Sequence, residues 1–255
     1  ENSDAVKEME RVRGALGNEV LHLDTVVHNL SSSDAVYRFV HDRDTSSYAT
    51  YFSWEALQAA NVDLTAMYDT SGALLECGAF DAESREMLQV SLCAKDQPAD
   101  GNPLISDTRR PQPVKGLLLT EAGPMLVAAR PILNGQGWGP VRGVLVMGRF
   151  LNAKLLDALR RDLRLSFSAD SLELPVDQPS IGPKPVATSG VTGASGTPAA
   201  PGMLGTQAKD DTRATSVTAL DAGTLLLTST YVDIQGNPAL TLHVRAPRHI
   251  TRMGG

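Results

Sequence analysis

Cysteine, histidine and aromatic side chains are scarce in this chain, and each scarcity excludes something. The two cysteines, Cys77 and Cys93, are too few for a disulfide scaffold. They read either as one bridge formed in an oxidising compartment or as two separate thiols. The five histidines are scattered at 22, 28, 41, 243 and 249, with neither the Cys/His spacing of a zinc site nor a Gly-x-Ser-x-Gly elbow to accompany them. His41-Asp42 lies at a polar helix end beside Arg43 and Asp44 and reads as a solvated cap. No catalytic set, metal or cofactor is therefore expected, and the chain is not expected to be an enzyme. A basic excess is also missing: the net charge of −6 argues against a nucleic-acid partner, which needs a positive face for phosphate. No P-loop or supported dinucleotide fingerprint occurs, and Gly135-x-Gly137-x-Gly139 reads as a hairpin turn. No run approaches the roughly 18–20 apolar residues of a membrane span, and no signal peptide stands at the start.

What is present is ordinary globular material, 255 residues with 42% hydrophobic and 20% charged. That length suits two domains better than one. The chain opens without Met, directly in helical sequence, and reads as a fragment of a longer protein. Residues 4–44 predict one long helix or two in succession. Val6, Met9, Val12, Leu16, Val20, Leu23, Val27 and Leu30 follow a near-heptad spacing. The seam suits a helix lying on its own domain, or a parallel pair between two copies of the chain, and the two are compatible. Residues 47–61 form a further helical stretch with Tyr48, Tyr51, Phe52, Trp54 and Leu57. Residues 64–68 and 73–77 form a hairpin around Asp69-Thr70-Ser71-Gly72. Residues 81–93 favour a helix with Met87, Leu88, Val90 and Leu92 as packing positions. Residues 97–113 read as a polar loop carrying Asp100, Asp107, Arg109 and Arg110. Strands at 114–120, 124–133 and 143–147 then complete a meander sheet of about five strands. A helix follows at 151–163, and strands at 165–174, 213–220, 223–234 and 239–246. The fold class is α+β, with antiparallel sheets behind a long N-terminal helix. Three parts are expected: a helical region 1–61, an α+β unit 62–163 and a β-rich unit 164–255 with a flexible 175–212 loop. A weak echo between 128–151 and 229–250 is either a tandem unit or chance likeness of two β-meanders.

Five residues are candidates for a small-ligand site. Arg130 follows the apolar run Leu126-Val127-Ala128-Ala129, where a charge needs an anionic ligand or a partner carboxylate. Tyr51, Trp54 and Tyr68 are pocket walls or core. Trp138, between glycines in an exposed turn, caps a pocket or marks a contact surface.

Some of these residues together resemble a known family. They are Asp34-x-x-Tyr37-x-Phe39-Val40, Tyr48, Val62-Asp63-Leu64, Tyr68-Asp69 with Gly72, and Pro131-Ile132-Leu133. The most specific is Gly139-Pro140-x-x-Gly143-x-Leu145-x-x-Gly148-Arg149-x-Leu151. The pattern resembles the fourth class of CHASE domains, sensing modules of bacterial receptors, over about residues 25–163. Where that family tends to carry tryptophans just before Asp-x-x-Tyr, this chain has Leu30 and Ser33. The resemblance implies a fold related to Cache and PAS sensors. It implies the periplasmic part of an inner-membrane histidine kinase or diguanylate cyclase, set between two transmembrane helices. A small-molecule ligand and a homodimer through the N-terminal helix would follow. The rivals are a ligand-independent dimerisation or protein-contact module and a secreted hydrolase, the latter disfavoured by the missing nucleophile–base set.

Overall fold

The computed structural model describes residues 2–43, 48–82, 84–94, 102–105, 111–172, 215–221 and 223–247. The heptad-spaced residues build helix α1, Asn2–Ser31. Met9, Val12, Leu16, Val20, Leu23 and Val27 are all buried, and they pack on the chain's own sheets. Helix α2, Asp34–Asp42, starts where the Ser33 side chain accepts the Val36 N–H. It stops at Arg43, whose left-handed backbone returns its N–H to the Phe39 carbonyl. The helical stretch that follows divides into α3, Tyr48–Phe52, and α4, Trp54–Ala59, with Ser53 capping the second.

The first sheet contains β1 (Leu64–Asp69), β2 (Leu74–Ala79), β3 (Val114–Thr120), β4 (Gly123–Pro131) and β5 (Gly143–Phe150). All neighbours are antiparallel, in the order β2-β1-β5-β4-β3. Strands β3 to β5 form the expected meander, and the β1–β2 hairpin extends it because β1 pairs with β5. The Val-rich run of β5 is therefore the middle strand, covered on both faces. Its glycines are required by what lies beside them. A Cβ on Gly143 would stand 2.0 Å from the Tyr68 carbonyl oxygen, and one on Gly148 2.4 Å from the Met125 sulfur. Met67, Leu126, Ala128, Leu145 and Met147 face α1. Leu64, Ala66, Tyr68, Val127 and Val146 form a separate core on the opposite face.

Helix α5, Ala153–Leu163, begins at the Asn152 cap and ends in a left-handed Arg164. The second sheet contains β6 (Ser166–Ser171), β7 (Ser216–Ala219), β8 (Thr224–Val232) and β9 (Pro238–Pro247), in the order β6-β9-β8-β7. Its Leu225, Leu227, Leu240, Leu242 and Val244 join the same apolar cluster as α1. One helix thus serves as the backing of both sheets. A second junction is the Ile234 N–H, which donates to the Leu117 carbonyl at 2.8 Å across the two sheets.

One expectation is overturned. Residues 81–93 do not form a helix. The Asp81 carboxylate accepts the Ser84 N–H, Arg85 adopts a left-handed backbone, and Phe80 makes a lone bridge with Met87. A 3-10 turn at Ser91–Cys93 follows. Met87 is 66% exposed instead of packed, while Val90 and Leu92 are buried against the sheet. Asp81 starts a single helical turn, with the Arg85 N–H returned to its carbonyl, and the left-handed backbone of Arg85 stops it there. The two cysteines resolve as one bridge, Cys77–Cys93, which ties this segment to β2. The 175–212 loop, Asp100, Asp107, Arg109, Arg110, the Tyr48 side chain and the end of the echo at 248–250 lie outside the described residues.

Candidate functional site

Alternation along β1 places Tyr68 on the face of the first sheet that α1 does not cover. Val90 and Leu92, from the irregular stretch after β2, and Leu104 and Ile105 farther along the chain lie over that face. The Tyr68 hydroxyl donates to the Leu92 carbonyl at 2.8 Å. Burial pushes the phenol up to about 12, with a hydrogen bond to the Asn102 side chain opposing the rise. Asn102 also accepts the Leu104 N–H at 3.0 Å. The segment that closes this face is therefore held by a disulfide and by a few polar contacts on an otherwise apolar floor.

A second feature joins the two ends of the family-like pattern. The Asp34 carboxylate accepts the Gly135 N–H at 2.8 Å, and Arg142 donates its Nε–H to the Tyr37 hydroxyl at 3.1 Å. The same guanidinium lies 5.5 Å from the centre of the Tyr37 ring. Asn134 accepts the N–H groups of Gln136 and Trp138, fixing the turn from within. Gly137 and Gly139 take positive φ there, 71° and 98°, as the turn demands. Trp138 is presented on this braced turn with 76% of its surface exposed.

The third feature is a row of charged contacts along α1. Arg11 donates to the Leu163 carbonyl at the end of α5. Arg13 bonds the Ser229 hydroxyl of β8 and pairs with Glu10. Glu19 pairs with Arg149 of β5. Asp24, buried, receives Arg130 of β4 at 2.6 and 3.0 Å and Lys115 of β3 at 2.8 Å. Burial would raise the Asp24 carboxyl, but the bonds from Arg130 and Lys115 together hold it below its ordinary value. Every rung joins α1 to a different element.

The five sequence candidates are spread over this frame. Tyr68 faces the core away from α1, whereas Arg130 lies on the α1 side of the same sheet. Trp54 packs edge-on against Phe80, with ring centres 5.3 Å apart. Tyr51 is exposed on α3, and Trp138 stands on its turn. The charge on Arg130 meets a partner carboxylate, Asp24, which sequence reading missed. The available signal was a lone acid, Asp24, directly after Leu23 in an otherwise apolar seam. Asp63 was also missed as a polar anchor: it is buried and accepts the Phe150 N–H at 2.8 Å. Burial raises its carboxyl; the Phe150 N–H, Arg149 and Lys154 act the other way. Among the described residues no group of His, Cys, Asp and Glu is arranged to hold a metal.

One long helix thus backs two antiparallel sheets, and the far face of the first sheet carries a core of its own. The chain belongs to the CHASE4 domain family, which matches residues 15–169. The Methanothrix harundinacea (strain 6Ac) methanogenesis regulatory histidine kinase FilI is 27% identical over 210 residues. That match covers 79% of this chain but only 19% of the kinase. In fold, the periplasmic domain of LuxQ from Vibrio cholerae is similar with a TM-score of 0.52 at 14% identity, over 95% of this chain and 98% of that one. A domain from Vibrio parahaemolyticus, assigned to the sensory box/GGDEF family, gives 0.54 at 11% identity over 96% of each chain.

Proposed function

We propose that this chain is the extracytoplasmic ligand-sensing domain of a transmembrane signalling receptor. The output module in the complete protein would be a histidine kinase or a diguanylate cyclase, and the sensing fragment itself performs no catalysis. The observation that carries this reading is the row of charged contacts that bolts α1 to both sheets. A rearrangement of either sheet must move the helix or break a rung. Membership of the CHASE4 family and the kinase relative support the same role. The Cys77–Cys93 bridge supports an oxidising, extracytoplasmic location, in keeping with the periplasmic part of an inner-membrane protein. Among the described residues no helix is long and apolar enough to cross a membrane; the flanking spans of this reading belong to the complete protein.

The ligand is a small molecule that enters between the first sheet and the segment carrying Val90, Leu92 and Leu104, with Tyr68 as its polar wall. Trp54 and Tyr51 stand on helices packed on the α1 side of the sheet, where they and Arg130, through Asp24, take up the change. The ligand acts by population shift: it favours one of two arrangements of segment and sheet, and the difference in affinity between them is all that can signal. The dimer uses the face of α1 opposite its buried seam, where Leu21 is exposed and a Cβ on Gly14 or Gly17 would meet nothing.

The test is a thermal-shift screen of the 255-residue chain against small acids, amines and amino acids, followed by calorimetry on each hit. A ligand at a hundredfold excess over its Kd stabilises by about 2.7 kcal/mol. The expected result is a saturable rise in Tm that Tyr68→Phe weakens. A dimer with no hit would replace this reading with a protein-contact module, for which exposed Trp138 on its rigid turn is the anchor.

A further inference from the structure

The second sheet has a polar outer face that the sensing reading does not use. We infer that this face holds a second binding site, for a small organic carboxylate. Strand pairing sets two rows across three strands there: Ser166, Arg245 and Leu226 in one, Ser168, His243 and Thr228 in the next. Their neighbours Val244, Leu242, Leu225 and Leu227 point the other way, into the core under α1. Arg160 of α5 closes one side, and with Ser166, Phe167, Ser168, Leu226, His243 and Arg245 it lines a groove of about 430 Å³.

The groups in the groove are unevenly satisfied. Arg160 is anchored: its Nε–H donates to the Phe167 carbonyl at 2.7 Å, and its Nη1 pairs with Asp157 at 2.6 Å. His243 is oriented from both sides, with Nδ1 3.0 Å from the Thr228 hydroxyl and Nε2 3.2 Å from Asp170. Arg245, by contrast, has no carboxylate or hydrogen-bond partner among the described residues. The Ser166 and Ser168 hydroxyls likewise have no side-chain hydrogen-bond partner among the described residues.

A free guanidinium beside two free hydroxyls matches a carboxylate, which takes both forks of the arginine and leaves lone pairs for the serines. Leu226, in the same row as Arg245, offers apolar surface to a short hydrocarbon body. One unpaired cation suits one negative charge. A phosphate dianion would set its second charge against Asp157 and Asp170, which hold the other two basic side chains. Arg245 is exposed, and its side chain makes no hydrogen bond or ion pair among the described residues, so changing it leaves the strand pairing in place.

The test is an amide-resolved NMR titration of the full 255-residue chain with propionate, butyrate and lactate, and with butanol and butylamine as controls. The expected result is saturable shifts at Ser168, Leu226 and Arg245 with at least one carboxylate, at a Kd of about 1 mM or tighter. Neither control should produce them, and the amides of Tyr68 and Leu92 should stay unmoved. Arg245→Ala should weaken binding about tenfold while leaving the remaining spectrum intact. The inference is overturned if none of the three carboxylates saturates, if butanol shifts the same amides equally, or if Arg245→Ala binds as tightly as the parent.

Discussion

Asp24 and Asp63 are two buried carboxylates with opposite electrostatic fates, and the difference comes from their neighbours. Asp24 lies between two cations, Arg130 and Lys115, and stays ionised below its ordinary range despite burial. Its contribution to stability is present above the unfolded carboxylate value of about 3.9 and is lost as pH falls through the lower folded value. Truncating the partner leaves a buried charge under-compensated. Arg130→Ala should therefore destabilise the chain by about 2–3 kcal/mol at neutral pH, read from urea unfolding. Arg130→Lys should recover only part, because it cannot supply two parallel bonds. Asp63 is raised by burial, with one backbone N–H as its close donor. A raised folded value means the folded chain holds the proton more tightly. The parent therefore loses stability as pH rises from about 3.9 through the folded value. Asp63→Asn keeps an acceptor for Phe150 and has no proton to lose, so that pH-dependent loss should vanish. Urea midpoints measured between acid and neutral pH would show it.

At the scale of elements, the described residues just after β2 are secured by little hydrogen-bonded ladder. They contain one isolated bridge, one 3-10 turn and a disulfide. The bridge spans 16 positions, a loop length for which chain entropy predicts about 3 kcal/mol of stabilisation. Cys77→Ser with Cys93→Ser should lower stability by about 2–3 kcal/mol. It should also raise amide exchange first at Val90 and Leu92, which the bridge holds against the sheet. Uniform loss of protection across β3 to β5 instead would mean the bridge acts on the whole fold. The Gly143 and Gly148 positions work in the other direction. They are elements of rigidity, since side chains there would displace the Tyr68 backbone or Met125.

For the molecule as a whole, the decisive feature is that α1 is shared. Residues of both sheets, Leu126 and Leu145 from one and Leu227 and Leu240 from the other, belong to a single apolar cluster around it. Neither sheet can shed the helix without exposing its own share of that cluster. The two sheets should therefore unfold in one transition. Both tryptophans, Trp54 and Trp138, lie in or beside the first sheet, so their fluorescence reports that half, while circular dichroism reports both. Coincident denaturation curves are expected; separated curves would show that the sheets are independent units. The same sharing suits a signalling role, because a helix held at several points along its length moves as a rod.

Local signals in the chain determined much of the architecture. The apolar period marked α1 and α5, Val- and Leu-rich runs marked β3, β4 and β5, and the glycine and proline pattern marked the turns. These are effects of neighbours within a few residues, where backbone preference and side-chain alternation act directly. The family-like pattern was legible only as a pattern, because the contacts behind it are long-range: Asp34 meets Gly135, Tyr37 meets Arg142 and Gly143 lies against Tyr68. Only the tertiary structure decided what lay between distant segments. It joined Cys77 to Cys93, set β1 beside β5, turned the heptad seam inward and gave Arg130 its carboxylate. It also replaced the helix expected at 81–93, which stops after one turn at left-handed Arg85 and gives way to the Phe80–Met87 bridge and the Cys77–Cys93 disulfide. Each of these depends on which surfaces meet across many residues of sequence, and a period of 2 or 3.6 carries no information about that.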